Sequence, residues 1–226
     1  MNNLLERLRP LARDLFILVA GIMLSLLLND WRENRIARGD EQRVMQQLKE
    51  DLAQDTLVLG MGQQSIEMLD GFVAFLMSEG ARDPDSLMKA NIMMWQVSSF
   101  TPLPLQRTAF NELTYQNSNR NIRHPELISQ AIDLHEGRYN LLRKVVDMHG
   151  NYLLEDLVPW YHHNLPSNKG SELTPDELQR VATILEDDVF QNKVFWLKIL
   201  MANVNAGMEQ AKSAAVALLE AVNEEY

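Results

Sequence analysis

Apolar residues run without a break from Leu15 to Leu28, allowing Gly21 and Ser25, and then give way to Asn29-Asp30-Trp31-Arg32. Beyond that point they recur at helical spacings of three and four, and no alternating stretch longer than a few residues interrupts them. The run of 14 residues is short for a bilayer, which takes roughly 20. Extended from Leu11 to Trp31 it reaches 21. Arg13 then lies at one interface, where a long side chain can snorkel. Trp31 lies at the other, with Arg32 and Arg35 just past it. A core helix is seldom apolar on every face, and no small-x-small cleavage pattern follows the run, as an export signal needs. The pattern predicts a retained transmembrane helix over 11–31, a short tail over 1–10, and a helical soluble domain over 32–226.

No strong breaker other than Gly39 follows until Gly60 and Gly62, so the anchor is expected to continue into water, with Met45, Leu48, Leu52 and Leu59 as its apolar edge. The two glycines predict a turn, and a second helix over 63–78. In ARDPDSL, Asp83 can cap and Pro84 fits the first position of a third helix, ending near Ser98. Pro104 opens a fourth, to Tyr115. Pro125 opens a fifth, to Leu157, followed by the loop PWYHHNLPSNKGS. In LTPDEL, Thr174 and Glu177 form a capping box with Leu173 and Leu178 as its staple. The last helix is expected over 189–224.

Three faces stand out. Asp14, Leu18, Gly21, Ser25 and Leu28 share one stripe of the span, continuing to Arg32. Gly21 and Ser25 form a small-xxx-small pair that permits close helix approach. Phe190, Val194, Leu197, Met201, Val204 and Met208 step by four and three, and the period continues to Val222. A seam of that length reads as coiled-coil-like packing, either within one bundle or between chains. The fifth helix carries Ile128, Ile132, His135, Tyr139, Leu142, Val146, His149 and Leu153 in the same rhythm. That places His135 and His149 on an apolar face about 21 Å apart at 1.5 Å per residue. Each is a core histidine or a buried pH-responsive switch.

The charge narrows the partners. The chain has 21 Lys+Arg against 31 Asp+Glu, a formal net charge of −10. An acidic body argues against nucleic acid. The absence of cysteine excludes disulfides, thiolate catalysis and zinc–thiolate sites. There is no HExxH, Gly-x-Ser-x-Gly or phosphate-binding loop. The adjacent acids Glu50-Asp51, Asp187-Asp188 and Glu224-Glu225 diverge on helices and read as solvated. His162 and His163 are a candidate metal pair, short of the three or four ligands a site wants. No catalysis and no cofactor are expected. Arg7, Arg9 and Arg13 precede the run; Arg32, Arg35, Arg38 and Arg43 follow it, so the count does not fix orientation. The short leading tail favours an amino terminus inside and a periplasmic soluble domain.

Two stretches carry a family likeness. DLFILVAGIMLSLLLNDWRENR resembles the anchor of a family of single-span bacterial membrane proteins of unknown function, with an acid, an apolar run around a central Gly, and Asn-Asn-Trp. Asp14, Gly21, Asn29, Asp30 and Trp31 fall on those positions. RTAFNELTYQNSNRNIRHPELISQAIDLHEGRY is similar to the family's Thr-Ala-aromatic-x-Glu-Leu segment through Thr108, Ala109, Phe110, Glu112, Leu113, Ile122, Leu127 and Ile132. The family's Ser-Gly is absent; Asn117 and Ser118 stand nearby. The resemblance implies an inner-membrane anchor and a helical soluble domain, and no activity. The expectation is an all-α protein: a transmembrane helix continuing into an antiparallel bundle with long coiled-coil-like helices. It would act as a scaffold or interaction module with itself or other membrane proteins. The alternatives are an extracytoplasmic ligand or pH sensor, or a metal protein using His162 and His163.

Overall fold

The computed structural model describes residues 2–99, 102–115, 123–166 and 173–226, with the side chains of 2–14 and of Tyr115 left out. Among the described residues there is no strand. The described residues form eight α-helices in order: α1 Asn2–Leu76, α2 Leu87–Gln96, α3 Thr108–Tyr115, α4 Pro125–Ile132, α5 Tyr139–Tyr152, α6 Val158–Asn164, α7 Pro175–Glu186 and α8 Asp188–Glu225. The fold is all-α, an N-terminal apolar helix continuing into a helical bundle. Arg13, Asp14, Asn117, Ser118 and Ile122 lie outside the described side chains.

α1 is a single helix of 75 residues, about 110 Å long at 1.5 Å per residue. The tail expected over 1–10 is already helical from Asn2. The turn expected at Gly60 and Gly62 does not form, because both glycines serve helix packing. A Cβ on Gly60 would stand 3.3 Å from Lys212 Nζ, and one on Gly62 would stand 2.7 Å from Met208 Sδ and 3.0 Å from Leu103 Cδ2. Glycine here lets α8 and the chain around Leu103 approach the α1 backbone, and the hydrogen-bonded ladder continues past it.

α8 runs antiparallel to α1. Glu41 meets Tyr226, Gly60 meets Lys212 and Gly62 meets Met208, so partners descend α8 as they ascend α1. Phe190, Val194, Leu197, Met201, Val204 and Met208 are all buried, as are Ala211, Ala215, Leu218 and Val222. The seam is thus spent inside the bundle, where it joins two core clusters. One gathers Met45, Leu48, Leu52 and Leu59 with α3, α4, α5 and the C-terminal half of α8. The other, farther from the apolar segment, gathers Val73 and Leu76 with α2, α6, α7 and the N-terminal half of α8.

The remaining boundaries shift for local reasons. The third helix starts at Leu87, after 3₁₀ turns over Glu79–Arg82 and Pro84–Ser86, and Asp83 makes no side-chain cap. Residues 102–107 form no regular element, with Leu105 N donating to Leu103 O at 3.0 Å, and the fourth helix opens at Thr108 instead of Pro104. The fifth helical run passes Leu157 and continues to Asn164, taking up the first half of the expected loop. Its ladder widens into π-turns at Asp133–Arg138 and Leu153–Leu157. The second precedes Pro159, whose ring and missing N–H a regular helix would not accommodate. The first advances the register, so Ala131 and Leu134 face inward while Ile132 is exposed. The capping box at Thr174 is present, with Glu177 N donating to Thr174 Oγ1 at 3.3 Å and Thr174 N donating to the Glu177 carboxylate at 2.8 Å.

Candidate functional site

Two features can carry function: the exposed face of α1 and a buried polar cluster under the 102–107 strap. On α1, every residue from Leu15 to Arg35 is exposed, with Phe16 at 73% and Leu27 at 63%. This helix is long and apolar enough to cross a membrane. Ten of its residues from 15 to 28 are Leu, Ile, Phe or Val. At about 0.3 to 0.6 kcal/mol each near the centre of a span, they favour insertion by several kcal/mol. Leu18, Gly21, Ser25 and Leu28 touch nothing in the bundle. Past them, Arg35 stacks its guanidinium 5.6 Å from the Trp31 ring, and Asn29 donates to Glu33 at 2.7 Å. The bundle begins only at Glu41, so residues 32–40 form an exposed helical stalk of about 15 Å.

The polar cluster is built by α1, the strap, α3 and the first π-turn. Asp51 and Asp55, one turn apart, sit on the buried face of α1 between Leu48, Leu52 and Leu59. Asp55 Oδ1 accepts the Gln106 backbone N–H at 2.7 Å, and Asp51 Oδ2 accepts that of Ala109 at 2.9 Å. Two carboxylates of α1 thus hold the strap and cap α3. The Tyr139 hydroxyl stands beside Asp55 without reaching hydrogen-bonding geometry, and it, Asp55 Oδ2 and His135 Nδ1 have no hydrogen-bond partner. Burial pushes the Asp55 carboxyl up to about 6, helped by Asp51 and resisted by the Gln106 N–H and Tyr139. Burial also raises the Tyr139 hydroxyl, with Asp55 adding to it.

His135 lies in the same cluster, on the π-turn. Its ring stacks on Phe110 with centroids 4.3 Å apart and meets the edge of Tyr139 at 4.9 Å. Burial lowers it to about 4, reinforced by Arg107 and opposed by Asp51 and Glu136. Arg107 itself is ion-paired with Glu136. A cavity of about 290 Å³ opens beside Tyr139, between strap residues Pro102–Leu105 and Leu142, Arg143 and Val146 of α5. His149 is buried about four turns beyond His135, on α5, and lines a smaller hollow; burial lowers it too. The two histidines therefore occupy separate sites.

No family model, curated protein or solved structure matches this chain.

His162 and His163 sit exposed at the end of α6. The Trp95 ring meets His162 edge-on at 5.2 Å, and the His163 carbonyl accepts from Arg180 at 3.0 Å. The described residues hold no group of three His, Cys, Asp or Glu suited to a metal ion.

Of the adjacent acids expected to be solvated, Asp51 is the exception: it is buried, while Glu50 faces solvent. Asp187, Asp188, Glu224 and Glu225 are exposed as expected, with Asp187 also capping α8 by accepting from Val189 N at 2.8 Å and Glu225 pairing with His124 at 3.2 Å. Asp51 and Asp55 escaped the sequence reading altogether as functional groups. The available signal was their place on the same stripe as Leu48, Leu52 and Leu59, where an acid must find a partner.

Proposed function

We propose that this chain is a membrane-anchored helical scaffold or interaction module, a subunit of a homo-oligomer or membrane complex with no catalysis of its own. One observation carries the reading: the fully exposed apolar segment and the long axis of the bundle are one unbroken helix. A span joined to its domain by a flexible linker only tethers it. A continuous helix also fixes the domain's height above the bilayer and its rotation about the membrane normal, which suits holding or being held. The resemblance to single-span bacterial membrane proteins supports an inner-membrane location. Blue-native electrophoresis and chemical crosslinking of the full chain from native membranes test this. The expected result is a complex larger than one chain; a strict monomer with no co-purifying partner overturns it.

A second reading, a ligand or pH sensor, is favoured by the cavity beside Tyr139 and the unpartnered atoms of Asp55 and His135. It requires the melting temperature of the full chain to respond to a ligand, or to respond to pH through His135. A profile unchanged in His135→Gln removes the pH form.

A further inference from the structure

The helical phase of α1 relates its membrane half to its outer half. Ten turns of 3.6 residues make 36 residues. Gly21 and Leu57 are 36 apart; so are Ser25 and Met61, and Arg32 and Met68. The small pair of the span therefore projects from the same side of α1 as Leu57, Met61 and Met68, which are 69%, 62% and 58% exposed. Buried Leu48, Leu52, Leu59 and Val73 lie on the opposite side. The face that permits close packing in the bilayer and the apolar stripe outside it both point away from the bundle.

We propose that two copies of this chain pair in parallel along that face, through Gly21 and Ser25 within the bilayer and through Leu57, Met61 and Met68 beyond it. This rests on the scaffold reading and names its partner. An occupant of both stretches must present a straight helix of about 70 Å, from the level of Gly21 to that of Met68, parallel to α1. Chains inserted the same way in one membrane present α1 to each other in that orientation. A two-fold axis along the membrane normal sets each stretch against its own copy. The apolar stripe is self-complementary in that arrangement. A Cβ on Gly21 or Gly39, which share this side, would meet nothing within 4 Å in the chain, so no packing within one copy calls for glycine there. The polar stretch between is compatible with the contact. Arg43 is held by Glu112 of its own chain at 3.1 Å, Glu50 accepts from Gln46 at 3.0 Å, and Arg32 directly follows Trp31 at the expected membrane exit.

The chain has no cysteine, so single-cysteine variants are clean probes. Leu57→Cys, Met61→Cys and Met68→Cys in the full chain are oxidised in native membranes beside Leu141→Cys and Met148→Cys, controls on α5 that are also more than half exposed. Disulfide-linked dimer is expected several-fold above the controls at all three α1 positions. Two alanines inserted after Arg35 turn the bundle by about 200° relative to the span and abolish that excess; seven turn it by about −20° and restore it. Unfolding temperatures of the insertion variants confirm an intact bundle. Equal crosslinking at the controls, or a yield indifferent to insertion length, overturns the pairing. Adducts to a different protein at these positions overturn it too, while leaving the scaffold reading intact. A chain that alkaline carbonate strips from membranes removes both.

Discussion

The Asp51 carboxylate accepts the Ala109 backbone N–H at 2.9 Å, so α1 caps a helix that lies 58 residues away in the chain. α3 supplies no capping side chain of its own at this donor, and Ala109 is fully buried. Asp51→Ala is expected to cost about 1–3 kcal/mol, since it orphans a buried N–H at a helix start. At this size that is a fall of several degrees in melting temperature. Asp51→Asn keeps an acceptor and should recover most of it. Thermal unfolding of both variants in detergent checks the ordering; equal losses would show that charge, not capping, matters at Asp51.

Asp55 and His135 should give opposing pH dependences. The Asp55 carboxyl sits at about 6, above its ordinary 3.8. Its protonation therefore stabilises the fold: the benefit is full below about 4 and is lost as pH rises through 6. His135 sits at about 4, below its ordinary 6.5. Its neutral form stabilises the fold above 6.5, and that contribution is lost as pH falls toward 4. The shifts are similar in size, so they largely cancel across that window. Asp55→Asn should expose a loss of stability on acidification. His135→Phe should expose a gain. Denaturant midpoints at pH 4.5, 5.5, 6.5 and 7.5 check this, and two variants sloping the same way would refute it.

What was legible in the sequence was local. The α8 seam, the Thr174 capping box and the apolar segment each declare themselves within a few turns, because periodicity and capping depend on near neighbours. Gly60 and Gly62 were misread because a glycine that breaks a helix and one that admits a neighbour look identical until the neighbour is known. Lys212 and Met208 lie about 150 residues away. Asp51 was misread for the same reason, since the donor it serves belongs to another helix. Around the π-turn at Asp133, His135 stacks on Phe110 and Tyr139 stands beside Asp55, and neither partner is a sequence neighbour. The outer stripe of Leu57, Met61 and Met68 became meaningful only once α1 proved continuous, because helical phase carries across 36 residues only without a break.

Gly62 gives a direct test of close packing. Gly62→Ala would put a Cβ 2.7 Å from Met208 Sδ, so that flexible side chain must move aside, and 3.0 Å from Leu103 Cδ2, which need give only a few tenths of an ångström. The loss in helix entropy is smaller for Ala, which offsets part of that cost. Gly62→Ile cannot be absorbed so easily and is expected to destabilise by about 1–3 kcal/mol through overpacking. If Gly62→Ile unfolds at the native temperature, α8 does not approach α1 as closely as the structure has it.

The apolar segment should separate membrane insertion from bundle stability. Leu24 is 59% exposed and lies near the middle of 11–31. Were it a core residue, Leu24→Arg would lower the melting temperature of the bundle by many degrees, because an unpaired charge in a core is severely destabilising. As a residue of a span, it contacts nothing in the bundle, and the substitution acts on insertion alone. An arginine at the centre of a transmembrane helix costs about 2.5–3.5 kcal/mol. That is comparable to the several kcal/mol favouring insertion of the whole segment, so partitioning should be finely poised. Leu24→Arg should therefore move a large share of the chain into the carbonate-extractable fraction and leave thermal unfolding of residues 41–226 within the full chain unchanged. Leu59→Arg is the opposite control: Leu59 is fully buried in the bundle, so it should abolish the unfolding transition while the span still partitions into membranes.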